Sequence, residues 1–114
     1  MSIFNSDSES SDQFYKKKMI GEIQLEDTTL QLVGYAKNKN ASEEFTLEDE
    51  TGKVFVREIP DEAEAIQEGK LYKVMGQMAL DGAGTRYFAA EIIQNVESLN
   101  YKLYIKSLQL KKSI

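Results

Sequence analysis

The sequence predicts an all-β fold: a five-stranded barrel with a short helix between strands three and four and a helix at the C-terminal end. Three observations lead there. Residues 30–56, LQLVGYAKNKNASEEFTLEDETGKVFV, read as three short strands joined by two polar turns. Gly34 lies inside the first of those strands, where a barrel strand must bend. A Thr-Gly turn, Thr51-Gly52, follows a run of acids and closes a hairpin.

The first strand spans 28–37. Leu30 and Leu32 alternate with Gln31 and Val33, as in a half-buried strand. Gly34 costs stability unless it serves a corner at which one strand joins two sheets. The turn 38–42 is polar, and its Asn38 and Asn40 tolerate left-handed backbone. The second strand, 43–48, points Phe45 and Leu47 inward and Glu44, Thr46 and Glu48 outward. The third, 53–59, sets Val54 and Val56 on one face and Phe55 and Arg57 on the other.

Pro60–Glu68 reads as a short helix. Proline stands at its first turn, Asp61, Glu62 and Glu64 lie near its positive end, and Gly69 follows it. The fourth strand, 71–80, alternates Tyr72, Val74 and Gly76 with Lys73, Met75 and Gln77. After the turn 81–84, the fifth strand, 85–96, has two competing alternations. Phe88, Ala90 and Ile92 fit the core in one, and Tyr87, Ala89 and Ile93 in the other.

The final helix spans about 99–112, with Ser98 as N-cap. Its apolar residues fall in two stripes: Leu99, Leu103, Leu110 and Ile114 on one side, Tyr101, Tyr104, Ile105 and Leu108 on the other. Packing on one barrel needs a single stripe. A second stripe asks for another partner.

Composition narrows the chemistry. A length of 114 residues suits one domain. With no cysteine there is no disulfide framework and no thiolate metal site, and with no histidine the usual general base and commonest metal ligand are missing. No cofactor, metal or small-molecule substrate is expected, and a carboxylate hydrolase on Asp49 and Glu50 is disfavoured because hairpin acids serve turn chemistry. No apolar run reaches the roughly 18 residues of a membrane span. The start of the chain is acidic and Ser-rich, unlike a signal or transit peptide, so an intracellular protein is expected.

Residues 1–15 read as a disordered acidic Ser-rich tail, 16–97 as the barrel domain and 98–114 as an assembly helix. Lys16, Lys17 and Lys18 form a short basic run, read as solvated. The net charge is −5 and unevenly spread: residues 43–64 hold nine acids against Lys53 and Arg57, while residues 101–114 hold four lysines and no acid.

Strand, strand, strand, short helix, strand, strand is the order of the OB fold. Within it, LQLVGYA, EEFTLEDETGKVFVR, LYKVMGQM and YFAAEIIQNVESLNYKL resemble the OB domain of the replication protein A middle subunit and its archaeal relatives. The likeness covers about residues 20–112 and is shared with telomere-capping and genome-stability OB proteins. It implies a non-catalytic subunit of a single-stranded-DNA-binding complex in DNA replication, repair or recombination. Such a subunit joins other OB-fold subunits through its C-terminal helix, and lies in the cytoplasm or nucleoid of an archaeon or the nucleus of a eukaryote. Leu99, Leu103, Tyr104, Leu108 and Leu110 are the interface candidates.

Bases stack on exposed aromatics, and phosphates seek Lys and Arg. Tyr35, Phe55 and Tyr87 are the stacking candidates; Lys37, Lys39, Lys53, Arg57, Lys73 and Arg86 are the phosphate candidates. Glu44 and Glu48 would repel phosphate, so weak binding by the isolated chain is expected. The alternative is a protein-interaction module that scaffolds an assembly without touching nucleic acid. An RNA-binding module is a third reading, with nothing in the sequence that reads a 2′-hydroxyl.

Overall fold

The computed structural model describes residues 15–24, 26–96 and 101–113, with side chains of the last segment described for 102–108. Residues 1–14 of the expected acidic tail, the Ser98 cap and Leu99 lie outside the described residues, as does the side chain of Leu110. Tyr15, the last residue of that expected tail, donates its hydroxyl to Glu91 at 2.6 Å. In chain order the elements are β1 (Lys16–Lys17), a 3₁₀ turn at Ile20–Glu22, β2 (Thr29–Lys37), β3 (Phe45–Asp49), β4 (Gly52–Arg57), β5 (Leu71–Leu80), β6 (Arg86–Asn95) and α1 (Tyr101–Ser113). The barrel closes in the order β2–β3–β4–β6–β5 and back to β2. Its neighbours are antiparallel except β4 and β6, which run parallel.

β2 carries the closure. Thr29 to Tyr35 pair with β5, whereas Tyr35 to Lys37 pair with β3. The switch falls beside Gly34, where an added Cβ would stand 2.6 Å from the Glu48 carbonyl oxygen. The glycine admits a neighbouring strand at a distance no side chain would allow.

Inside the barrel Leu30, Leu32, Phe45, Leu47, Val56, Val74 and Phe88 are fully buried. Each such side chain contributes about 1.5–3 kcal/mol of hydrophobic free energy. The two alternations of β6 are both used. Gly76 pairs with Ala90 but Met75 pairs with Ile92, so Glu91 is an extra residue in the ladder. This bulge changes the inward frame: Phe88 and Ala90 face the core before it and Ile93 after it.

The expected helix at Pro60–Glu68 is absent, and residues 58–70 form a looped crossover of turns. Ala63 donates to the Pro60 carbonyl in one turn and Lys70 to that of Gln67 in another. Two amides between are taken by side chains outside the segment: Ile66 N–H donates to Glu43 Oε1 at 2.9 Å and Gln67 N–H to Tyr72 Oη at 2.9 Å. Ile66 itself is buried in the core. Capture of these amides by side chains outside the segment outweighs the local helix signals.

The segment before the barrel is built in. β1 pairs in parallel with β2. Lys18 Nζ donates to Asp27 Oδ2 at 2.6 Å, with Lys16 3.9 Å from the other oxygen. The basic run is therefore partly an ion-pair anchor rather than a solvated stretch. Met19 forms a second small core with Ile105 and Leu108 of α1, and Tyr104 packs against it.

Candidate nucleic-acid interface

The outer face of β2, β3 and β4 is organised in cross-strand rows. One row runs Lys37–Thr46–Phe55 and the next Tyr35–Glu48–Lys53. Adjacent strands are about 4.8 Å apart, so each row is a near-continuous line of side chains. Tyr35 is 37% and Phe55 40% exposed, unusual for large aromatics and open to a stacking partner. Arg57 extends the same face by one more row and lies opposite Ala89 of β6. Lys73 sits on β5 opposite Val33, one row beyond Tyr35.

Two loops flank the face. In the first, Asn38 adopts φ 53° and Glu43 φ 68°, both left-handed. Asparagine tolerates that conformation; glutamate adopts it at a cost. Glu43 reaches the Ile66 amide from there, and that hydrogen bond is the main reason its carboxyl sits below the usual range. In the second loop Asp81 Oδ1 accepts the amides of Ala83 at 2.8 Å and Thr85 at 2.9 Å. The Thr85 amide is the leading cause of the lowered Asp81 pKa.

Most cations here face a carboxylate. Lys37 lies 3.9 Å from Glu48, Lys39 3.4 Å from Glu43, and Arg57 3.4 Å from Glu44 and 3.8 Å from Asp81. Within the described residues Lys53 and Lys73 make no ion pair. A cleft of ≈ 270 Å³ beside Tyr35 is lined by Lys37, Glu48, Asp49 and Glu50. The face joins open aromatic surface to nearly balanced charge.

Two of the residues singled out by sequence stand differently. Tyr87 is only 9% exposed, with Arg57 Cζ 4.9 Å over its ring and its hydroxyl donating to Glu58. The bond to Glu58 comes first among the causes that raise its pKa. Tyr87 thus presents no open ring. Arg86 leaves the face altogether, and its Nη2 donates to the Gln24 carbonyl at 3.3 Å, tying the N-terminal segment to β6. Sequence reasoning missed Glu58 and Asp81 as the partners of Tyr87 and Arg57. Both contacts depend on the parallel pairing of β4 with β6, which has no local signal.

On α1 the two stripes separate. Ile105 and Leu108 are buried and Tyr104 joins them, whereas Leu103 is 61% exposed. Tyr104 and Leu108 therefore face this chain's own Met19, while Leu103, of the other stripe, is largely exposed.

No protein-family model matches the chain, and no curated protein matches it. Among solved structures, it resembles the telomere capping protein Ten1 from Saccharomyces pombe at 16% identity and TM-score 0.72, covering 88% of this chain and 99% of that one. The S. pombe Stn1–Ten1 complex matches at 18% identity and TM-score 0.69, covering 87% of this chain and 92% of that one. A replication protein A heterotrimer bound to single-stranded DNA matches at 22% identity and TM-score 0.57, covering 80% of this chain and 71% of that one. At these identities the likeness establishes the fold: a closed OB barrel with a C-terminal helix.

Proposed function

We propose that this chain is a small, non-catalytic subunit of an intracellular single-stranded-DNA-binding complex, with weak DNA affinity of its own. The observation that carries the reading is the pair of open aromatics, Tyr35 and Phe55, on the outer face of β2 and β4. An OB barrel commonly takes up oligonucleotides on this face, between these two loops. Bases stack there irrespective of sequence, for roughly 1–3 kcal/mol each. Lys53 and Lys73 are left for phosphates, while Lys37, Lys39 and Arg57 are already opposed by acids. With a net charge of −5, few phosphate contacts mean low affinity. The exposed Leu103 on α1 supports assembly with other OB-fold subunits. The structural likeness to Ten1 and to a replication protein A heterotrimer agrees with that role.

The test is a titration of labelled oligo(dT) by fluorescence anisotropy, with the chain alone and with its co-purified partners. Weak, salt-sensitive binding by the chain and tighter binding by the assembly are expected. No binding by either at low salt would defeat the reading.

A second reading is a scaffolding module that touches only protein. The pairing of Lys37, Lys39 and Arg57 with carboxylates favours it. It would be supported if alanine at Tyr35 and Phe55 left the assembly's DNA affinity unchanged.

A further inference from the structure

Arg57 projects on the same face as Phe55, and three separate elements hold its guanidinium. Nε lies 3.4 Å from Glu44 Oε2 in the loop before β3, and Nη1 lies 3.8 Å from Asp81 Oδ2 in the turn before β6. Cζ rests 4.9 Å over the Tyr87 ring on β6. The parallel register that sets Val56 against Phe88 brings Tyr87 alongside Phe55. Arg57 is therefore a lid on an aromatic ring next to an open one.

The lid is weakly fastened. Both separations exceed the roughly 2.7–2.9 Å of a good charge-assisted hydrogen bond. The Arg57, Glu44 and Asp81 side chains are 36%, 24% and 30% exposed, so solvent screens each pair. Both acids also have other partners. Glu44 Oε1 accepts from Asn40 Nδ2 at 3.0 Å, and Asp81 Oδ1 is held by the Ala83 and Thr85 amides. Releasing Arg57 leaves both loops folded. A phosphate offers the guanidinium fork the planar two-oxygen contact that neither carboxylate supplies here.

We infer that Arg57 is a latched phosphate-binding residue: Glu44 and Asp81 hold it over Tyr87, and a single-strand phosphate that draws it away uncovers Tyr87 as a stacking surface beside Phe55. The inference rests on the single-strand reading of this face and adds its regulation. The two acids lower DNA affinity by occupying one particular cation, beyond their share of the net charge.

The experiment compares the full chain with two double variants of equal charge, E44Q/D81N at the latch and E62Q/E64Q in the exposed crossover loop. Gln and Asn keep the oxygen acceptors that the two loops use. Oligo(dT) affinity is measured through a salt series, with thermal melts confirming that each variant folds. The latch variant should bind about fivefold tighter than the loop variant. Its slope of log affinity against log salt should steepen by about 0.7, one added phosphate contact on a single strand. Adding R57A should cancel the gain in slope, because that contact is made by the Arg57 guanidinium. Equal gains in the two double variants, or a steeper slope that survives R57A, would overturn the latch while leaving the single-strand reading intact. Absence of binding in every protein, wild type included, would overturn both.

Discussion

Asp49 Oδ2 accepts the backbone N–H of Ile20 at 2.8 Å, joining the hairpin of β3 and β4 to the 3₁₀ turn that precedes the barrel. Its other oxygen closes the hairpin, accepting from Thr51 N at 2.7 Å, Thr51 Oγ1 at 2.6 Å and Gly52 N at 3.1 Å. Thr51 Oγ1 in turn accepts the Gly21 amide at 2.8 Å, so Asp49 and Thr51 together clamp the N-terminal segment. The acid-Thr-Gly sequence that signals a turn also fastens the segment laid over that end of the barrel. Close fit enforces it: a Cβ at Gly21 would stand 2.5 Å from the Thr51 carbonyl oxygen.

Asp49→Ala leaves the buried Ile20 amide and the part-buried hairpin donors of Thr51 and Gly52 without their acceptor. Asp49 is 8% exposed, so water replaces the carboxylate poorly. A loss of about 2–3 kcal/mol in urea unfolding is expected. The amides of Ile20 and Gly21 should lose hydrogen-exchange protection well before those of β5. Glu50→Ala, one residue away and exposed, should change stability by less than about 0.5 kcal/mol.

Gly76→Ala tests the bulge in β6. A Cβ at this position would lie 2.1 Å from the Ala89 carbonyl oxygen, a backbone atom that cannot move aside. The substitution should cost about 3 kcal/mol or more. Gly82→Ala meets nothing within 4 Å and should be close to neutral. Equal melting temperatures for the two variants would contradict the register shift at Met75/Gly76.

These residues also show what the sequence discloses and why it stops. Gly34 inside an alternating strand marked the corner where β2 changes partners, because only close backbone approach explains a glycine there. The conflict between two alternations in 85–96 was itself the trace of the bulge at Glu91, though no local pattern says which reading yields to the other. Strands four and five fell within a residue of their observed ends, since period-two burial is a local property. The helix expected at Pro60–Glu68 does not form because side chains outside it take its amides, Glu43 from 23 residues before Ile66 and Tyr72 from the start of β5. The same limit applies to the site. Exposed Phe55 and Tyr35 follow from alternation, but the covering of Tyr87 by Arg57 depends on loops that meet only after the barrel closes.

Acid should loosen the N-terminal segment through Asp27. Burial of Asp27 would raise its pKa, but the hydrogen bonds from Lys18 and the Gln24 amide, with the charges of Lys18 and Lys16, outweigh it and lower the pKa. A carboxyl whose folded pKa lies below its unfolded value of about 3.9 adds stability above that pH. The contribution is lost as pH falls through the folded value. Asp27→Asn should cost about 1–2 kcal/mol at neutral pH. The gap between wild type and variant should close as pH falls below about 4. Urea unfolding across this range measures it, and a gap independent of pH would contradict the ion-pair account.

Phe55→Ala and Tyr35→Ala should each weaken oligo(dT) binding by about 1–3 kcal/mol, roughly 5- to 150-fold, because each removes a stacking surface. Their exposure means that folding stability should change little. Thr46→Ala, between Lys37 and Phe55 on the same row, supplies the control and should bind nearly as wild type. Loss of binding in all three alike would point to a disturbed sheet instead of lost stacking.

The helix makes the last prediction. Leu103 and Leu108 are both leucines of α1, but the first is 61% exposed and the second buried beside Met19. Leu108→Asp puts a charge into that contact and should destabilise the isolated chain by about 3 kcal/mol or detach the helix. Leu103→Asp changes a largely exposed side chain and should leave the unfolding curve of the isolated chain within about 0.5 kcal/mol of wild type. If partner subunits dock on the stripe that holds Leu103, Leu103→Asp should abolish co-purification of the assembly while the barrel stays folded. Size-exclusion chromatography with light scattering separates these outcomes. An assembly that tolerates Asp at position 103 would move the interface off this stripe.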